Sequence, residues 1–197
     1  RIASSVLNPG GTPKILVDPE GSTRWLALTI GIGVPETGPW TPIDGKIVLN
    51  QAHQANATPE INALGPPYTL HVWGANVDII HCSSAPIAQS FVRTTIYRRP
   101  LAEWLGRKRR IVCRIKWDNR EIGLGGKGTF DFWIDAQLVE TLEANAVRSG
   151  RQGHGVGGYF SIFGPYAVAW AQDQNPPTGL MQRIYYERPR IGDERNS

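Results

Sequence analysis

Apolar and polar residues alternate with a period of two along most of this chain, and side chains that alternate in this way belong to strands with one buried face. Residues 24–34, RWLALTIGIGV, set Leu26, Leu28, Ile30 and Ile32 on one face. Trp25, Ala27, Thr29, Gly31 and Gly33 make the other face small and open. The same rhythm runs through 47–53, 69–73, 77–82, 90–99, 109–117, 129–135, 159–163 and 181–192. Between the runs lies turn chemistry: Asp44-Gly45, Gly65-Pro66-Pro67, the glycines of 123–128, and Asn175-Pro176-Pro177. Only 100–106 and 139–148 leave room for helix, and both are short. The expectation is an all-β sandwich or jelly roll of two antiparallel sheets. Residues 1–197 are read as one domain, since sandwiches of this length commonly fold as a unit.

The formal net charge of +4 is concentrated: between Arg93 and Lys116 stand nine lysines and arginines against one acid, Glu103. Such a patch suits an anionic partner, whether an acidic polysaccharide, nucleic acid or an anionic surface; solvated strand faces are the plainer explanation. No RNA- or DNA-binding motif is present, which makes nucleic acid the weakest of the three. No apolar run approaches the roughly 20 residues that span a bilayer, so no membrane partner is expected. The chain opens at Arg1 without a methionine or signal-like segment, as a processed product or a piece of a longer chain would, with neighbouring domains or subunits as further partners.

Two cysteines, Cys82 and Cys113, make neither a metal site nor a disulfide scaffold. Cys113 alternates with Ile111, Ile115 and Trp117 and reads as an inert buried thiol; a single Cys82–Cys113 disulfide is the alternative. No HExxH or CxxC motif occurs, and no cofactor is called for, a structural calcium ion being the one group left open.

Several short rows could carry chemistry. Gln51 and His53, two apart in IVLNQAH, leave one face of a strand, where an amide and an imidazole could bind a carboxylate and move a proton. Ile47 and Leu49 fall on that face too under strict alternation, which argues for burial at that end. Tyr166 follows Gly164-Pro165, where a strand is interrupted, and a phenol there could serve as acid or base beside cations. In FDFWID, Asp131, Trp133 and Asp135 share a face: an aromatic plane for a sugar's C–H groups, flanked by acceptors for its hydroxyls. His71 and Trp73 share a face in the same manner, and Arg93, Tyr97 and Arg99 form a row that suits a polyanion. For each, an ordinary solvent-facing or packed residue is the competing explanation.

The order of these pieces resembles the polysaccharide lyases of concanavalin A-like fold, including the heparin-lyase-like and alginate-lyase-like families. Arg24-Trp25 opening a long strand is similar, as is NQAHQ at Asn50–Gln54, which resembles their glutamine–x–histidine strand. Ile115-Lys116-Trp117, a loop and FWIDAQLV at Phe132–Val139 resemble their tryptophan–aspartate–glycine–lysine hairpin. IFGPY at Ile162–Tyr166 resembles their lysine–phenylalanine–glycine–x–tyrosine strand, and IYYERPRIGD their closing strand. The resemblance implies a concanavalin A-like jelly roll that recognises an acidic polysaccharide. It implies that Gln51 neutralises a uronate carboxylate, that His53 acts as base or neutraliser, and that Tyr166 acts as acid and perhaps base in a β-elimination. Two departures stand out: the family's arginine–x–glutamate–x–arginine pattern is absent, and Ile162 stands where the family has lysine. Such losses fit a fold kept for binding, as a module of a virion fibre or a cell-surface protein. Either way the expected location is extracellular, secreted or on a virion, and whether the chain cleaves its glycan stays open at this point.

Overall fold

The computed structural model describes residues 2–3, 5–7, 13–15, 21–41, 45–54, 66–84, 91–118, 128–143, 159–167 and 183–192; in 2–3, 5–7, 13–15, 53–54, 82–84, 91–93, 140–143 and 159–167 the description is of the backbone. Thirteen strands are described: β1 (Ile2–Ala3), β2 (Ser5–Leu7), β3 (Pro13–Ile15), β4 (Thr23–Ile32), β5 (Lys46–Gln54), β6 (Tyr68–Trp73), β7 (Asn76–Ser84), β8 (Phe91–Pro100), β9 (Arg107–Lys116), β10 (Thr129–Ile134), β11 (Gln137–Glu143), β12 (Tyr159–Ala167) and β13 (Ile184–Gly192). They form a six-stranded sheet in the order β1-β12-β5-β6-β7-β8 and a five-stranded sheet in the order β11-β10-β9-β4-β13, with β2 and β3 as a separate pair. The pairings within these sheets are antiparallel. The expected sandwich of two antiparallel sheets is what the chain forms.

The core lies between the two sheets. From the five-stranded sheet come Leu26, Leu28, Ile30, Ile32, Ile111, Cys113, Ile115, Phe130 and Phe132; from the other come Ile47, Leu49, Tyr68, Leu70, Val72, Val77 and Ile79. Burying each large apolar side chain contributes about 1.5–3 kcal/mol, and this is why one face of every long strand is aliphatic or aromatic. Cys113 is a free thiol sealed among these residues, so the disulfide alternative is not met. Residues 100–106 close on a single 3₁₀ turn, Leu101–Glu103, which sets Trp104 into the end of the core.

The helix left open over 139–148 is not formed across its described part: β11 runs as a strand to Glu143. It hangs on β10 through a two-residue turn, Asp135-Ala136, with φ of 50° and 67°. Positive φ at both central residues is the turn whose twist matches paired strands. Asp135 makes it affordable: its backbone N–H donates to the Arg110 carbonyl at 2.8 Å, and its carboxylate accepts the Arg110 backbone N–H at 2.9 Å.

Candidate functional site

Strict alternation would put Gln51 on the same face as Ile47 and Leu49. The sheet resolves that conflict with a bulge. β5 pairs Val48 with His71 and Asn50 with Leu70, so Leu49 is extra. On the neighbouring strand the register also jumps, from Phe163 opposite Asn50 to Tyr166 opposite Val48, leaving Gly164-Pro165 across from Leu49. A bulge breaks the ladder locally, so it tolerates a proline that has no N–H to donate. Its effect is to keep Ile47 and Leu49 in the core while Gln51 takes the outer face.

The bulge turns polar groups inward, and each finds a partner. Asn50 lies in the core, where its amide oxygen accepts a hydrogen bond from the Tyr68 hydroxyl. The Leu49 carbonyl accepts one from Tyr186 of the opposite sheet at 2.8 Å. Burial raises the pKa of both phenols and of the Cys113 thiol, 3.9 Å from the Tyr68 oxygen, so all three stay protonated. These are structural groups.

Paired residues share a sheet face, so the register defines what stands on the outer face of the six-stranded sheet. One row runs Tyr166, Val48, His71, Asp78, Arg98 across β12, β5, β6, β7 and β8. The next runs Ile162, Gln51, Thr69, Ile80, Thr95. His53, two residues beyond Gln51, pairs with Phe160. The three positions Gln51, His53 and Tyr166 thus belong to one face of two adjacent strands, with Gln51 between the other two. The side chains of His53, Tyr166 and Arg93 lie outside the described ones.

This face is polar yet enclosed. Gln51 is only 7% exposed, and His71 and Asp78 are buried. Asp78 accepts two hydrogen bonds from Arg98, from Nε and Nη2, each 2.8 Å long, and its Oδ2 lies 3.8 Å from His71 Nε2. The bidentate grip raises the Arg98 pKa further and holds a carboxylate in a place where an unpaired one would be costly. His71 is therefore a sealed member of a charged row, while Trp73, at the strand end on the same face, is 55% exposed with its ring 6.3 Å from that of His71.

The row read from Arg93, Tyr97 and Arg99 is split. A bulge between Ile79 and Ile80 pairs Arg93 with Cys82 and Thr95 with Ile80, but Tyr97 with the core residue Ile79. Tyr97 and Arg99 therefore stand on the inner side, where Tyr97 packs edge-on against Trp104 at 6.2 Å and Arg99 lies 5.6 Å from the Tyr97 ring. Arg98, which alternation had turned away, takes the outer face. Alternation gave Asp78 no role and read Arg98 only as one of the basic cluster; the signal for their pairing was an aspartate in the middle of the apolar run NVDII, since a strand carries a buried charge only with a partner.

Asp131, Trp133 and Asp135 are on the other sheet. Trp133 stacks on Trp25 with centroids 5.6 Å apart and planes 21° from parallel, on the outer face of the five-stranded sheet. Asp131 is 3.4 Å from Arg114, and Asp135 is taken up by its own turn and by Arg109 at 2.6 Å. They do not join Gln51 and His53, because β10 and β5 belong to opposite layers.

The chain matches no family model and no curated protein. Among solved structures it is similar to an endo-β-1,4-glucuronan lyase from the fungus Trichoderma reesei, at 18% identity and a TM-score of 0.59 over 89% of this chain and 70% of that one. An alginate lyase from Pseudomonas aeruginosa aligns at 14% identity and a TM-score of 0.54, over 94% and 70% of the two chains. A family 7 alginate lyase in complex with substrate aligns at 12% and 0.52, over 90% and 63%. The chain has the jelly-roll fold of these polysaccharide lyases. At such identities the likeness concerns the fold. Among the described residues no helix is long and apolar enough to cross a membrane, and no cluster of three or more His, Cys, Asp or Glu forms a metal site.

Proposed function

We propose that this lyase-like jelly roll recognises an acidic polysaccharide on the outer face of its six-stranded sheet and cleaves it there by β-elimination. The observation that carries the reading is the register of β12 on β5, with Tyr166 opposite Val48 and Ile162 opposite Gln51. It supports one subsite centred on Gln51, with His53 on one side and Tyr166 on the other. In that subsite the Gln51 amide donates to a uronate carboxylate, which lowers the cost of the charge that develops when the adjacent C–H is deprotonated. His53 or Tyr166 takes that proton. The electron pair forms the new carbon–carbon double bond, the bond to the 4-linked oxygen breaks, and Tyr166 protonates the departing oxygen. Trp73, at the end of β6, extends the face as the exposed plane for a neighbouring sugar, while His71 stays sealed beside it. The similar structures named as glucuronan and alginate lyases favour a uronate polymer as the substrate class.

The test is the ultraviolet absorbance of the unsaturated uronate end during incubation with glucuronan, alginate or a heparin-like polymer. A steady rise with at least one polymer is expected; none with any of them rejects cleavage. A second reading, a non-catalytic glycan-binding module of a virion fibre or cell-surface protein, is favoured by Ile162, an uncharged residue in register with Gln51 where the resembling lyases carry lysine. It expects glycan binding without the chromophore. Either activity suits a chain that works outside the cell, secreted or on a virion.

A further inference from the structure

The geometry points to a second anion-binding surface, on the outer face of the five-stranded sheet, that takes a uronate-containing oligosaccharide independently of the Gln51 face. Here the strands β13, β4 and β9 lie side by side and present Ala27 and Val112 as a low floor. Together with Trp25, Pro189, Arg190, Ile191 and Gly192 they line an open groove of about 680 Å³. A smaller depression beside it shares Ala27, Arg110 and Arg190 and continues along Thr29. A volume of that size accommodates a short oligosaccharide.

Two observations argue that this is more than a solvated sheet face. The first is where charge is left over. Neighbouring cations are neutralised: Arg109 by Asp135, Arg114 by Asp131, and Lys108 by Glu36. No ion pair or side-chain hydrogen bond joins the guanidinium of Arg110 or Arg190 to another described residue, and both line the groove. A guanidinium fork matches a carboxylate with two parallel hydrogen bonds, while the indole of Trp25, stacked on Trp133 with Arg114 5.8 Å from its ring centre, gives the groove an aromatic end one row beyond Arg190. The second is how Arg190 gets there. The β13–β4 register slips between Glu187 and Arg190, and Arg188 sits at φ 49°, where a residue other than glycine is uncommon. That bulge sets Arg190 opposite Ala27, on the groove floor's own row. Arg110 stands opposite Thr29 and Arg190 opposite Ala27, so they are two strands and two residues apart, about 12 Å from ordinary strand spacings, and they meet carboxylates on different sugar units rather than on one.

This inference does not rest on the lyase-like reading, and the experiment separates the two. The intact chain is titrated calorimetrically with a glucuronic acid tetrasaccharide and, in parallel, with cellotetraose as its neutral counterpart. The same titration is run on Arg110→Gln/Arg190→Gln and on Gln51→Ala/His53→Ala, each first checked for an unchanged thermal melt. Losing two charge-assisted contacts should weaken one class of site by about 10- to 100-fold in Arg110→Gln/Arg190→Gln. That site should persist in Gln51→Ala/His53→Ala, and it should not take cellotetraose. If all tetrasaccharide binding disappears with Gln51→Ala/His53→Ala, or none is seen with the parent chain, the second surface is rejected. Equal binding of cellotetraose rejects the anion specificity, and displacement by single-stranded DNA at equal charge concentration rejects the glycan as occupant. Absence of lyase activity alone leaves each of these outcomes readable.

Discussion

The two outer faces of this sandwich are built on the same pleat and differ in how they treat charge. On the six-stranded sheet, polar side chains are enclosed and locked: Asp78 is 1% exposed and gripped by Arg98, with His71 beside it. On the five-stranded sheet, the strands offer small residues, a stacked tryptophan pair, and ion pairs open to water, such as Lys108–Glu36. Similar ion-pair chemistry should therefore matter for stability on the first face and little on the second. An enclosed charge that loses its partner faces the desolvation penalty alone, whereas an exposed pair is screened by solvent and salt.

The largest expected effect is acid sensitivity, and it comes from the core side of the six-stranded sheet rather than from its outer face, because His81 stands opposite the core residue Tyr68. His81 on β7 is buried near Phe130, and burial lowers its pKa from 6.5 to about 4. The unfolded chain thus binds a proton between pH 6.5 and 4 that the folded chain refuses. Stability is complete above pH 6.5 and falls, by roughly 3 kcal/mol, as pH drops toward 4. Urea midpoints measured across that range should show the loss, and His81→Phe should flatten it. A parent whose midpoint is level between pH 7 and 4 would count against His81 as a buried neutral group.

Asp78→Ala comes next. It removes two charge-assisted hydrogen bonds from an enclosed site and should cost about 1.5–3 kcal/mol by chemical denaturation. Tyr68→Phe deletes the hydroxyl that serves inward-turned Asn50 and should cost about 1–2 kcal/mol, with the fold retained. The smallest change is expected on the other sheet: Glu36→Ala, which removes the exposed partner of Lys108, should shift the urea midpoint least, and less still in high salt. Equal losses for Asp78→Ala and Glu36→Ala would erase the distinction between the two faces.

How far these features could be read beforehand depended on whether the pleat stayed regular. Residues 24–34 and 109–117 alternate without interruption, and β4 and β9 form there with Leu26, Leu28, Ile30, Ile111, Cys113 and Ile115 in the core as expected. Where a bulge intervenes, parity arguments invert. The bulge at Leu49 released Gln51 from the face of Ile47, and the one before Ile80 moved Tyr97 inward and Arg98 outward. Periodicity carries no mark of a bulge, because the inserted residue is decided by pairing with the next strand. The same holds for which layer a strand joins: Asp131 and Trp133 were rightly read as sharing a face, but nothing local told that face from the one bearing Gln51. At 139–143, VETLE contains good helix formers in its glutamates and leucine, yet pairing with β10 made it strand.

The central claim, that the face shared by Gln51, His53 and Tyr166 performs the elimination, is tested most directly by one comparison of rates. The growth of the unsaturated-uronate absorbance is followed for the parent chain, for His53→Ala and for Tyr166→Phe, on whichever acidic polymer the parent cleaves. The account expects His53→Ala to be slower by about 10²–10⁴-fold, the usual cost of losing a positioned proton-transfer group. It expects Tyr166→Phe, which loses only the phenol oxygen, to release no measurable chromophore while still binding the polymer. Cleavage by Tyr166→Phe at the parent rate would contradict it.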